Sequence, residues 1–121
     1  MDPGSSHQNF RSINRLIHEP ARLAILTILS SVDEVDFNFL LTTLGLTKGN
    51  LATHVGKLEA AGYVEVSKEF RGKIPHTGYQ LTADGRREFD NYWENMNGLA
   101  PGQWQANAAE GPAVDPAASD K

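Results

Sequence analysis

The stretch Thr47-Lys48-Gly49-Asn50-Leu51-Ala52-Thr53-His54-Val55-Gly56-Lys57-Leu58-Glu59-Ala60-Ala61-Gly62 decides how the rest of the chain is read. Thr47 is a good N-cap, because its hydroxyl can accept from an unpaired backbone N–H of the first turn. Gly62 is a good stop, because it can take the left-handed conformation after the last turn. Leu51, Val55 and Leu58 recur at helical period and form one apolar stripe. The opposite face carries Gly49, Asn50, Thr53, Gly56 and Lys57, with no acid before Glu59. Such a face lets backbone approach a phosphate and side chains reach base edges. It is also what the solvated side of an ordinary amphipathic helix looks like, so the flanks must decide.

Upstream, Phe10, Ile13, Leu16 and Ile17 predict a first helix from His7 to about Ile17. Pro20 suits the first turn of a second helix, where its missing N–H costs nothing. That helix runs to about Ser31, and Leu23, Ile25, Leu26, Ile28 and Leu29 make it the core helix. Asp33–Asp36 is a turn or a very short strand. Phe37–Leu44 reads as a third helix ending at Gly45. The gap to Thr47 is short and contains a glycine, as in a helix-turn-helix.

Downstream the period changes. Tyr63–Phe70 reads as a strand, and Tyr79–Thr82 as its returning partner. A loop from Arg71 to Gly78 lies between them, carrying the cations Arg71 and Lys73, with His76 a third candidate. Its bland reading is a solvated loop. Thr82 can cap a last helix from about Ala83 to Met96, with Phe89, Tyr92, Trp93 and Met96 as its apolar stripe and Asn97-Gly98 as its stop. Met1–Ser6 and residues 98–121 have the composition of disordered ends, and Trp104 is the residue that could pin part of the tail. The ordered domain is thus 7–97. The order is helix, helix, helix-turn-helix, β-hairpin, helix. That is mainly α with a small β-hairpin: a winged helix-turn-helix with a three-helix core, a wing, and extra N- and C-terminal helices.

Composition narrows the function. The chain has 121 residues and no cysteine, so disulfides and thiolate metal sites are excluded. That suits a reducing cytoplasm. No apolar run approaches the ~20 residues needed to span a bilayer, and Met1–Asn9 lacks a signal-peptide core. The net charge of −4 runs against nucleic-acid binding, but its distribution matters more than its sum. Between Leu44 and Gln80, Lys48, Lys57, Lys68, Arg71 and Lys73 outnumber Glu59, Glu65 and Glu69, which implies modest affinity for arbitrary DNA. His7, His18, His54 and His76 are scattered, with no metal-ligand pair at i, i+4. No nucleophile elbow, phosphate loop or carboxylate pair is legible. The expectation is no enzyme, no cofactor and no metal.

The residue chemistry suggests roles. Asn50 can pair bidentately with an adenine edge, and Thr53 can meet a thymine methyl or an acceptor. Lys57 suits a phosphate or a guanine. Thr47 can donate to phosphate as well as cap. His54, at the edge of the stripe, either packs or touches DNA. Gly49 and Gly56 cost roughly 1 kcal/mol each against Ala, which close approach of backbone to DNA would explain and mere tolerance would leave unexplained.

The runs His18-Glu19-Pro20-Ala21-Arg22-Leu23-Ala24-Ile25-Leu26, Asp36-Phe37 through Leu44-Gly45-Leu46-Thr47, Gly49–Val55, Lys57–Val64 and Gly72–Arg86 together resemble the small single-domain winged-helix regulators of the MarR-like and ArsR-like group. The resemblance spans about Ile17–Trp93, with several motifs in order. It implies a DNA-binding transcriptional regulator, usually a homodimer. It also implies base reading by Asn50, Thr53, His54 and Lys57, with Lys48 and Arg71 or Lys73 on the backbone.

The dimer has its own argument. The stripes Phe10, Ile13, Leu16, Ile17 and Phe89, Tyr92, Trp93, Met96 hold more apolar surface than the domain needs to close. A two-fold dimer through the first and last helices would set two recognition helices about one DNA turn, ~34 Å, apart on a palindromic site. The expected function is a dimeric repressor on double-stranded DNA, with any small-molecule effector unknown. The alternative is a winged-helix protein-interaction module that never touches DNA, favoured by the acidic net charge.

Overall fold

The computed structural model describes residues 11–101. It contains helices α1 (Pro20–Ser31), α2 (Phe37–Leu44), α3 (Lys48–Ala60) and α4 (Ala83–Gly98), and strands β1 (Val35–Asp36), β2 (Val64–Arg71) and β3 (Ile74–Leu81). The described residues fall into two compact units, one of Asn14–Asp90 and one comprising 11–13 with 91–101. No described helix is long and apolar enough to cross a membrane.

Each helix of the first unit starts and stops where local chemistry directs. The Glu19 carboxylate accepts from the Arg22 N–H at 2.7 Å and caps α1, with Pro20 in its first turn. Asp36 caps α2 by accepting from the Phe39 N–H at 2.7 Å. Gly45 ends α2 at φ 67°, a conformation that glycine takes without a Cβ penalty. Ile25, Leu26, Leu29, Leu40, Leu51 and Leu58 are wholly buried and make the core where α1, α2 and α3 meet. A buried leucine of this kind contributes about 1.5–3 kcal/mol.

The sheet has the order β1-β3-β2 and is antiparallel throughout. β1 pairs Val35 with Tyr79 and Asp36 with Gly78, so it braces the base of the hairpin. Tyr79 is buried there; burial first, and then the Glu59 carboxylate, push its phenol above the ordinary value near 10.

Two expectations need correction. The helix read over His7–Ile17 does not continue through its described part. Residue 11 is helical, but residues 13 and 14 are not, and 15–17 form a turn. The Asn14 side chain accepts from the N–H groups of Leu16 (3.0 Å) and Ile17 (3.1 Å), and the Asn14 carbonyl accepts from the His18 N–H at 2.9 Å. Asn offers the backbone this local alternative to a helix, so the apolar spacing of Ile13, Leu16 and Ile17 misled. The expectations for residues 1–10, Phe10 included, and for residues beyond 101, Trp104 included, lie outside the described residues.

The second correction concerns the wing. The expected Arg71–Gly78 loop is a tight two-residue turn, since Arg71 pairs directly with Ile74 and Phe70 with Pro75. Gly72 holds φ 69° at the first turn position, which the tight hairpin turn requires. Pro75, expected within the loop, lies in β3. It sits where β3 has a free edge, because β1 reaches only Gly78 and Tyr79, and proline is tolerated at such an edge. The last helix also exceeds its expected end, running through Gly98, with Leu99 and Ala100 N–H groups donating to the Met96 and Asn97 carbonyls.

One junction ties α3 to the hairpin and α4. Gly62, at φ 84°, turns the chain out of α3. The Thr82 hydroxyl donates to the Gly62 carbonyl at 2.6 Å and accepts from the Gly85 N–H at 2.9 Å, while the Thr82 N–H donates to the Tyr63 carbonyl at 3.0 Å. This packing brings the α4 backbone so close that a Cβ on Gly85 would overlap the Tyr63 carbonyl oxygen. A backbone atom cannot swing aside as a side chain can. Ala at a helical position gains about 1 kcal/mol over Gly, and overpacking of this kind costs about 3 kcal/mol. Gly85→Ala is therefore expected to destabilise the fold by about 2 kcal/mol, read from the urea midpoint. A midpoint at or above that of the parent chain would show that the junction yields.

Candidate nucleic-acid interface

α3 presents two contrasting faces. Leu51 and Leu58 are fully buried and Val55 is 4 % exposed. Lys48, Gly49, Asn50, Thr53, Gly56 and Lys57 are all exposed. The cap forms as the sequence suggests: the Thr47 hydroxyl oxygen accepts from the Asn50 N–H at 3.1 Å. That hydroxyl keeps its own proton, so it can still donate to an anion.

His54 sits between the faces, half-buried, and is held from inside. Its Nδ1 lies 3.0 Å from Nη1 of Arg22 and 3.8 Å from Oε1 of Glu19. Since guanidinium only donates, Nδ1 is the acceptor. Nε2 is the ring nitrogen left for anything outside the chain.

Arg22 is the residue that sequence reasoning missed. It is 8 % exposed and donates from Nε to the Leu16 carbonyl at 2.5 Å as well as from Nη1 to His54. One planar group thus links the turn before α1 to the side of α3. The signal was present: Arg22 precedes Ile25, Leu26 and Leu29 by three, four and seven residues, which places it on the buried face of α1. An arginine there must find partners.

The wing brings further cations. Arg71 and Lys73 are exposed on either side of Gly72, and Lys68 is exposed on β2. Arg71 Nε lies 3.5 Å from Oε2 of Glu69, the acid nearest the tip. His76 is turned elsewhere, with Nε2 4.0 Å from Oε2 of Glu34 and a side chain only 15 % exposed. Among the described residues no His/Asp/Glu group is arranged to hold a metal ion.

Of the residues expected at a dimer contact, Ile17, Phe89 and Tyr92 are buried within their own chain. Ile13, Leu16 and Met96 are half-buried, and Trp93 is 43 % exposed. In the second unit, Tyr92 and Trp93 meet edge to face with centroids 5.1 Å apart.

The glycines of α3 provide a test of what its outer face is for. No atom lies within 4 Å of a Cβ added at Gly49 or Gly56. Packing therefore does not require glycine at either place. Gly56→Ala is expected to stabilise the free protein by up to about 1 kcal/mol, yet to weaken DNA binding by crowding the closest approach. Thermal unfolding and a binding titration of the same variant check the two halves. Unchanged binding would mean that the glycine is merely tolerated.

A buried three-helix core, a recognition helix with an open polar face, and a hairpin carrying cations at its tip define a winged-helix DNA-binding domain. Residues 21–100 match the family described as the winged helix DNA-binding domain, and the chain belongs to that family. It is 37 % identical over 79 residues to an uncharacterized protein of Methanocaldococcus jannaschii, covering 64 % of this chain and 85 % of that protein. Among solved structures it is similar to a transcriptional regulator homologue from Pyrococcus horikoshii OT3, with a TM-score of 0.70, 26 % identity, and coverage of 79 % of this chain and 93 % of that one. A MarR-family regulator from Enterococcus faecalis V583 shares the fold, with a TM-score of 0.62 at 19 % identity over 91 % of this chain and 92 % of that one. The chain is therefore a winged-helix DNA-binding protein, with DNA as its partner, and it shares its fold with transcriptional regulators.

Proposed function

We propose that this chain is a sequence-specific transcriptional repressor that binds a palindromic operator as a homodimer and acts by competing for a promoter. The observation that carries the reading is the division of α3 into a buried apolar face and an open face of Lys48, Gly49, Asn50, Thr53, Gly56 and Lys57. A helix so divided is anchored on one side and free to enter the major groove on the other. Asn50, Thr53 and Lys57 read bases, with His54 contributing through Nε2. Thr47 and Lys48 hold the backbone at the helix start, and Arg71 and Lys73 hold it from the wing. Dimer contact falls to Ile13, Leu16, Trp93 and Met96, the more accessible of the expected residues, together with Phe10, whereas Ile17, Phe89 and Tyr92 are buried in their own chain. Such a regulator works in the cytoplasm, beside its DNA.

Selection of binding sites from random duplex DNA at two salt concentrations tests the reading. The expected result is a palindromic consensus with half-sites about one turn, ~34 Å, apart, and an affinity that falls steeply with salt. A single non-repeated half-site would remove the dimer. Weak binding without sequence preference would remove the regulator and leave a protein-interaction module. Transcription from a promoter overlapping the selected site should fall when the chain is added; a rise would reverse the sign of regulation.

A further inference from the structure

The tip of the wing is apolar as well as cationic. Phe70 is 71 % exposed and Ile74 is 69 % exposed, the two most exposed large hydrophobic side chains among the described residues. Single exposed hydrophobics are common and need no explanation. These two stand together with exposed Pro75 around one tight turn, where polar residues would serve the turn equally well.

The register says how they are arranged. Phe70 lies opposite Pro75, and Arg71 opposite Ile74. Side chains alternate between faces along a strand. Phe70 and Pro75 therefore share one face of the tip, with Lys68 two residues back on the same face. Arg71 and Ile74 share the other, and Lys73 occupies the turn itself. Each apolar group thus has a cation as its neighbour, and Glu69, the acid nearest the tip, is partnered by Arg71. A contact surface for another apolar protein face does not call for cations on both sides. A surface that meets stacked bases between two rows of phosphates does.

We propose that the wing tip is an apolar wedge, in which Phe70, with Pro75 beside it on the same face and Ile74 on the opposite face, enters the minor groove of the operator, opens a base step and bends the duplex. The proposal rests on the DNA-binding reading above and adds a second specificity device to it. The minor groove is ~6 Å wide and neighbouring strands lie ~4.8 Å apart, so only side chains at the end of a two-stranded ribbon can enter. Lys68, Arg71 and Lys73 then face the phosphates that flank the groove. Opening a step costs a few kcal/mol, and the cost is least at TA and CA/TG steps. The wedge consequently selects such a step outside the bases that α3 reads, with no hydrogen bond to it.

Duplexes selected by the parent chain, labelled at both ends for energy transfer and carrying 2-aminopurine at the step under the wing, test this. The parent chain should shorten the end-to-end distance and raise the 2-aminopurine fluorescence on binding. Phe70→Ala should abolish the fluorescence rise, reduce the bend and weaken binding about tenfold, while the slope of affinity against salt stays unchanged. Arg71→Ala should do the reverse, lowering the salt slope by about one and keeping the fluorescence rise. Phe70 is exposed, so its replacement should leave the unfolding midpoint in place, and that measurement separates a binding defect from a folding one. A Phe70→Ala chain that bends and binds like the parent overturns the wedge while leaving the regulator reading intact. A loss of self-association on replacing Phe70, with bending unchanged, also overturns it and assigns the tip to contact between copies. If the parent chain selects no duplex at all, the regulator reading fails first.

Discussion

Replacing Asn50 and Lys57 together by Ala is expected to weaken binding to the selected operator by a hundredfold or more. A bidentate Asn–adenine pair is worth about 1–3 kcal/mol of discrimination, and a lysine on phosphate adds the release of about one counterion. Each 1.4 kcal/mol is about tenfold in affinity, so the two losses reach two orders of magnitude. The fold should not notice. Both side chains are exposed on α3, and Ala is the better helix former at both positions. The single variants should differ in kind. Asn50→Ala should relax preference at one base position and leave the salt slope alone. Lys57→Ala, if the lysine meets phosphate, should weaken all duplexes alike and lower the slope by about one. Titrations at several salt concentrations separate the two. If the double variant binds the selected duplex as the parent does, the open face of α3 is not the reading surface.

Arg22→Met is expected to be the most damaging single change to the frame that holds α3. Methionine replaces the buried stem with a flexible apolar chain. It supplies no donor, so the Leu16 carbonyl and the His54 Nδ1 lose the partners they now have at 2.5 and 3.0 Å. Leaving these two part-buried acceptors unpaired costs about 1–3 kcal/mol, and a total near 3 kcal/mol should appear as a lower urea midpoint. Lysine should not rescue it. The guanidinium donates to two partners at once through a fixed planar fork, and a point-like ammonium cannot span both. DNA affinity should fall further than stability alone predicts under conditions where the variant is folded, because His54 and with it one side of α3 are no longer held. A parent-like urea midpoint would mean that water replaces the guanidinium at no cost, and the linking role would be lost.

The pattern of legible and illegible features follows from range. Thr47, Gly45 and Gly62 act on backbone groups within a few residues of themselves, so this cap and these stops were readable in place. The stripe Leu51, Val55, Leu58 was readable because helical period alone puts three residues on one side. The first turn and the wing were misread for related reasons. At Asn14 a side-chain hydrogen bond competed with apolar spacing, and spacing carries no record of which one prevails. At Pro75 the penalty for a missing N–H depends on whether a neighbouring strand is there to use it, and β1 reaches only as far as Gly78.

By itself, the sequence determined the kind and order of the elements from Pro20 onward, the ends of α2 and α3, the split between the faces of α3 and the cations of the wing. These depend on period, local capping and charge, which the chain carries residue by residue. Tertiary structure alone decided that the wing is a tight hairpin braced by β1, that Gly85 must lack a side chain beneath the Tyr63 carbonyl, and that Phe70 and Ile74 stand uncovered at the tip. It also decided that Arg22 reaches both Leu16 and His54, 6 and 32 residues away along the chain. Contacts of that kind depend on which distant segments meet, and their partners are chosen only when the core closes.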